Sequence, residues 1–291
     1  AGAATRESLY GARPTRARYV RVVATAGAKR PVALREIRAL GPREPGFEGS
    51  RPGDGSVGTS SAAGSGSGGP SSDAVAPSSA PGVRYVGFTA GGGLHNSRPD
   101  ELARILDRAS GLGAKWIRVD LNWNVVQEKG PTVFEWGPQD TVIDAILARG
   151  MKPIVTLGYT PAGARRAECQ ASSTCSPAAP AQFAAFASAA VSRYAPRGVK
   201  NWEIWNEPNI EQFWQPAPEP DRYAALLKAA YASIKSADPS ATVISAGLSP
   251  FGAYPATSAT RTNPVKFLED LYAAGISGSF DALGTHPYNH P

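Results

Sequence analysis

From residue 85 to residue 284 six short apolar segments alternate with stretches of helical pattern, and this alternation restricts the fold more than any other feature. Two parallel strands cannot be joined by a tight turn, so a helix-bearing crossover must separate them. The expected strands are Tyr85–Thr89, Trp116–Leu121, Pro153–Leu157, Asn201–Trp205, Thr242–Ala246 and Ala282–Gly284. The expected helices are about Pro99–Ser110, Pro138–Arg149, Ala181–Tyr194, Asp221–Ala237 and Pro264–Ala274. Gly91-Gly92-Gly93 lacks the spacing and the Lys of a phosphate-binding loop, so it reads as a sharp turn. The fold class is α/β. A closed (β/α)8 TIM barrel needs eight strands, so residues 83–291 are expected to be such a barrel cut after about six, incomplete at its carboxyl end.

The amino-terminal part reads differently. Residues 45–82 hold ten Gly, ten Ser and five Pro among thirty-eight, a composition that cannot bury enough apolar surface to offset its ordering entropy. They are expected to form a flexible linker. Residues 1–44 carry two strand-like runs, Tyr19–Thr25 and Val32–Leu40, too few for an independent sheet domain. The net charge of +6 gathers at this end: residues 1–51 carry eleven Lys or Arg against four Glu, and the remainder nineteen against twenty acids. In Arg18-Tyr19-Val20-Arg21-Val22-Val23 the Arg residues are interleaved as on the solvated face of an edge strand, so no nucleic-acid partner is expected. No apolar run approaches the length of a membrane span, so no membrane insertion is expected either.

Cys169 and Cys175 stand in a loop rich in Ala, Ser and Pro, with no His beside them. Two thiolates alone do not complete a zinc site, so no metal is expected there. A local disulfide is the favoured reading, and it points to a secreted, extracellular protein; two free thiols are the alternative.

The chemistry gathers at strand ends. Trp205-Asn206-Glu207-Pro208-Asn209 puts a carboxylate at the carboxyl tip of the fourth barrel strand, an amide beside it and a Pro that ends the strand. The alternative is a turn whose Glu caps the next helix. The pentapeptide resembles the proton-donor motif of clan A glycoside hydrolases, and the chain resembles them from Val83 onward. Lys152–Gly158, Glu203–Asn209 and His286–Tyr288 place the resemblance near families 5 and 39. The run Ala17–Val22, with Leu34-Arg35-Glu36-Ile37-Arg38-Ala39-Leu40-Gly41, resembles the last two strands of discoidin-like (coagulation factor C-type) carbohydrate-binding modules, which are β-sandwiches. Residues 1–44 would then be the remnant of such a module, and the chain a fragment cut at both ends.

The resemblance implies a retaining O-glycoside hydrolase acting on poly- or oligosaccharide, with no cofactor, because two carboxyl groups suffice for that reaction. Glu207 takes the place of the general acid/base, and Asn206 that of the amide at the sugar 2-hydroxyl. Arg118 matches an Arg on the second strand that supports the carboxylates, a structural ion pair being the alternative. His286 and Tyr288 match an aromatic dyad on the sixth strand, one member of which bonds the nucleophile or the sugar, with strand-end packing as the alternative. Trp123, Tyr159 and Trp214 would either stack on sugar faces or pack in the core. Glu203 shares a face with Glu207 by strand alternation and would be a buried partner for Arg118 or Lys200. After Asp281 there is no Asp or Glu, so the nucleophile is expected beyond residue 291 and the chain alone is expected not to hydrolyse glycosides. The competing expectations are a barrel that binds glycans without cleaving them and an adhesion module.

Overall fold

A computed structural model of the chain describes residues 18–25, 33–40, 87–250 and 257–286. The linker over 45–82 and Tyr288 lie outside the described residues. The strands in order are β1 (Arg18–Thr25), β2 (Ala33–Leu40), β3 (Gly87–Gly91), β4 (Trp116–Asn122), β5 (Lys152–Gly158), β6 (Asn201–Asn206), β7 (Thr242–Gly247), β8 (Thr257–Ser258), β9 (Arg261–Thr262) and β10 (Ala282–Leu283). Between them run α1 (Pro99–Gly111), the single turn α2 (Trp123–Val126), α3 (Gly137–Leu147), α4 (Pro180–Tyr194), α5 (Pro220–Ala237) and α6 (Pro264–Ala273).

The six strands β3-β4-β5-β6-β7-β10 pair in parallel, with helical crossovers throughout. Beyond β10 the sheet continues through β1, parallel to it, and then β2, antiparallel to β1. The expected strands and long helices all form, most within a residue or two of the expected bounds. Each of the five long helices has a Pro at its first or second position, where the missing N–H would have had no partner and the fixed φ suits the turn. Helix α1 adds Asp100 and Glu101 in its first turn, opposite the positive end of the helix dipole. The two-residue strands β8 and β9, and α2, were not anticipated.

Alternation along the strands divides the interior in two. Ile117, Val119 and Leu121 of β4, Val155 and Leu157 of β5, and Trp202 and Ile204 of β6 face the helices and build the main core with Phe183, Phe186, Tyr223 and Leu227. On the other face Ile154, Ile244 and Ala282 form a small apolar floor with Trp116 against it. Above that floor the inward positions turn polar: Arg118, Asp120, Thr156 and Glu203 are all buried. Among the described residues no helix is long and apolar enough to cross a membrane.

Candidate active site

Strand β6 carries the centre. Strict alternation would put Glu203, Trp205 and Glu207 on one face, but the backbone is left-handed at Trp205 (φ 72°) and again at Glu207 (φ 44°). Trp205 therefore turns to the helix side, where its ring meets Trp214 edge-on at 5.2 Å and Phe183 at 6.1 Å, and its indole N–H donates to the Phe213 carbonyl at 2.6 Å. The chain then delivers two consecutive side chains, Asn206 and Glu207, to the mouth of the sheet. Non-glycine residues in this region carry strain that surrounding packing must hold in place, and such strain gathers at functional sites.

Below the mouth Arg118 organises the polar interior. Its Nε donates to Glu203 Oε2 at 2.5 Å and its Nη2 to Asn206 Oδ1 at 2.9 Å, while Nη1 lies 3.8 Å from Asp120 Oδ1. Glu203 also accepts from Thr156 Oγ1 at 2.7 Å and from the Gly247 amide at 3.0 Å. Burial by itself would raise the Glu203 carboxyl; Arg118, with smaller help from His286 and Thr156, outweighs it and holds the group below its ordinary 4.5. For Asp120 the balance reverses: burial wins over Arg118 and the Tyr159 hydroxyl, and its carboxyl stands above its ordinary 3.8. Glu203 is thus the fully bonded counter-ion of Arg118. Lys200, the other partner considered for it, pairs with Asp238 at 2.7 Å.

Glu207 is buried (6% exposed), and its Oε1 lies 2.7 Å from His286 Nδ1. Its Oε2 takes part in no hydrogen bond among the described residues. Two glycines make the His286 contact possible. A Cβ at position 247 would come within 2.2 Å of His286 Nε2, so only Gly leaves room for the imidazole. A Cβ at position 284 would meet the Ser245 carbonyl at 2.4 Å, so Gly284 lets β10 approach β7. Gly247 also joins the two glutamates, its N–H donating to Glu203 and its carbonyl accepting from the Glu207 amide at 3.1 Å.

Arg118 therefore pairs with Asn206 and Glu207 with His286, and Glu203 lies close enough to feel the charge of both Arg118 and His286. His286 meets Glu207, the candidate acid/base; the family resemblance gave one of His286 and Tyr288 to the nucleophile or the sugar. Tyr159, with its own left-handed backbone (φ 70°), joins the cluster by donating its hydroxyl to Asp120 Oδ2 at 2.9 Å. Trp123 does not join it. Its ring stacks on Phe186 at 5.4 Å, meets Phe183 edge-on and is 1% exposed, so as placed it offers no face to a sugar. Trp214 is likewise buried, between Trp205 and Tyr223. Cys169 and Cys175 are joined in a disulfide, with Cα atoms 5.3 Å apart. Asp120, Thr156 and Gly247 were missed as parts of the cluster. For Asp120 the signal was present, since alternation along Trp116-Ile117-Arg118-Val119-Asp120 puts it on the Arg118 face.

The family model for glycosyl hydrolases family 39 matches residues 110–257, just over half of the chain. The chain belongs to glycosyl hydrolase family 39. Family 5, the other branch that the motifs suggested, has no such support. Within family 39, a structure from the gut symbiont Bacteroides cellulosilyticus WH2 is 25% identical with a TM-score of 0.53, over 70% of this chain and 38% of that one. A family 39 β-xylosidase structure from Caulobacter crescentus is 27% identical with a TM-score of 0.50, over 65% of this chain and 44% of that one. A β-xylosidase of Caldicellulosiruptor saccharolyticus is 28% identical over 133 residues, 42% of this chain and 27% of that protein. The chain spans about a quarter of the length of that curated relative and less than half of each of these structures.

Proposed function

We propose that the protein is a retaining O-glycoside hydrolase acting on oligo- or polysaccharide, with Glu207 as its general acid/base. The observation that carries this reading is the placement of the Glu207 carboxyl: buried at the tip of a parallel strand, held through Oε1 by His286, and next in the chain to Asn206, which Arg118 binds. The second oxygen, Oε2, is left to give its proton to the glycosidic oxygen as that bond breaks, and later to take one from the incoming water. Asn206, oriented by Arg118, presents its amide N–H groups to the sugar 2-hydroxyl. That contact strengthens as the ring flattens and so favours the transition state.

A retaining enzyme needs a second carboxylate about 5–5.5 Å from the first. Glu203 is unsuited, because both its oxygens are already bonded to Arg118, Thr156 and Gly247. The nucleophile is therefore proposed to come from residues following 291. The names of the relatives make β-xylosides the first substrates to try, and the disulfide supports a secreted protein. Residues 1–44 are proposed as the end of a discoidin-like carbohydrate-binding module, testable on a glycan array with that module restored.

The test is Glu207→Gln in the full-length protein, assayed on aryl β-xylosides with graded leaving groups. Loss of a general acid should slow glycosides with poor leaving groups by about 10²- to 10⁴-fold and spare those that depart unaided. A uniform effect across leaving groups would reassign the acid. Sugar binding without turnover in the unmodified full-length protein would favour a non-catalytic glycan-binding barrel instead.

A further inference from the structure

Asp120 lies one inward position beyond Arg118 on β4 and is 5% exposed. Its two oxygens have different surroundings. Oδ2 accepts the Tyr159 hydroxyl at 2.9 Å and lies against the β3 turn, where a Cβ on Gly92 would come within 3.0 Å. Oδ1 is buried and accepts no hydrogen bond among the described residues. The neighbouring cation does not satisfy it: Arg118 Nη1 is 3.8 Å away, and the same guanidinium is committed through Nε to Glu203 and through Nη2 to Asn206. Leaving a buried acceptor unmatched costs about 1–3 kcal/mol.

The asymmetry is held in place from outside the sheet. The next residue after Tyr159, Thr160, is tied to the disulfide loop twice, by its N–H to the Ser173 carbonyl at 2.7 Å and by Oγ1 to the Cys175 carbonyl at 2.6 Å. Tyr159 is thus carried on a tethered segment, its phenol bonded to Oδ2, while Oδ1 accepts no hydrogen bond among the described residues. The surroundings also select the ligand. A cation at Oδ1 would be set against Arg118, and an anion would be set against Asp120 and Glu203. A neutral group with a donor hydrogen suits both.

We propose that Asp120 Oδ1 accepts a hydrogen bond from one ring hydroxyl of the sugar bound beside Asn206, and so sets which glycone the enzyme takes. This rests on the hydrolase reading above and adds to it a residue that determines specificity. The rival role is purely structural, Asp120 serving only as a second counter-ion for Arg118.

The experiment is a cycle between residue and substrate in the full-length enzyme. Aryl glycosides lacking one hydroxyl at a time are compared on the unmodified enzyme and on Asp120→Ala, with Asp120→Asn as the milder variant should the first fail to fold. One deoxy isomer should lose roughly 10- to 100-fold in kcat/KM on the unmodified enzyme, as expected when a buried acceptor is left unmatched, and lose little more on the variant. Equal penalties for every deoxy isomer on both enzymes would overturn the proposal and leave the structural role. Titration of the same deoxy sugars into Glu207→Gln reads the coupling without turnover. If the unmodified enzyme hydrolyses nothing yet the binding coupling persists, the hydrolase reading falls and the contact stands. If the coupling is absent there too, the contact falls.

Discussion

At the scale of single residues, the interior of this protein is a set of exchanges between buried charge and its partners. Replacing Arg118 by Met would strand Glu203 in a dry interior, and we expect a loss of about 3–5 kcal/mol of unfolding free energy by chemical denaturation. The two carboxyls beside it predict opposite pH behaviour. Glu203 has a folded-state value below 4.5, so its contribution is present above that pH and is lost as pH falls through the lowered value. Asp120 has a raised value, so its contribution is greatest below 3.8 and declines as pH rises through the folded value. Stability measured from about pH 3 to 6 should therefore fall less steeply with acid in Glu203→Gln and more steeply in Asp120→Asn. Gly247→Ala would drive a methyl into the His286 imidazole; we expect a cost of about 1–3 kcal/mol and a weakened acid/base, visible as a kcat loss larger than any KM change.

At the scale of elements, the helices and strands were legible because their signals are local. Pro opens the helices, and short apolar runs mark the strands. The turn from strand to site was not legible. Alternation is an average property of strands, and the left-handed residues Trp205 and Glu207 break it for reasons that lie in other elements: the packing of Trp205 between α4 and the segment bearing Trp214, and the Gly247 bonds from β7. Trp123 was ambiguous for a related reason, since a large ring at a strand tip has the same sequence signature whether it faces a sugar or Phe186. Its burial predicts that Trp123→Ala costs about 3–5 kcal/mol of stability. The disulfide loop acts at this scale as well. It ties the segment after β5 to the segment after β6 through Thr160, Thr174, Ser176 and Gln215, so Cys169→Ser with Cys175→Ser should cost about 2 kcal/mol and loosen Tyr159. Thermal unfolding with and without reductant measures the first effect.

Over the whole molecule, the parallel strands bring together groups drawn from β4, β5, β6 and β7 and the residues just beyond β6 and β10, although nearly 170 positions separate Arg118 from His286 in the chain. Strand alternation was enough to name Arg118 as a candidate partner of Glu203 in advance, but not to bring Glu207 to His286 or to draw Asp120, Thr156 and Gly247 into the cluster. The Glu207–His286 bond depends on how closely β10 approaches β7, and two absent side chains decide that. Gly247 has a further consequence. Its amide hydrogen serves the carboxylate that neutralises Arg118 and its carbonyl accepts the backbone amide of Glu207, so one residue without a side chain pins both glutamates. A change of side chain or backbone at this one position would therefore disturb the anchoring of the Arg118 counter-ion and the course of the chain at Glu207 together.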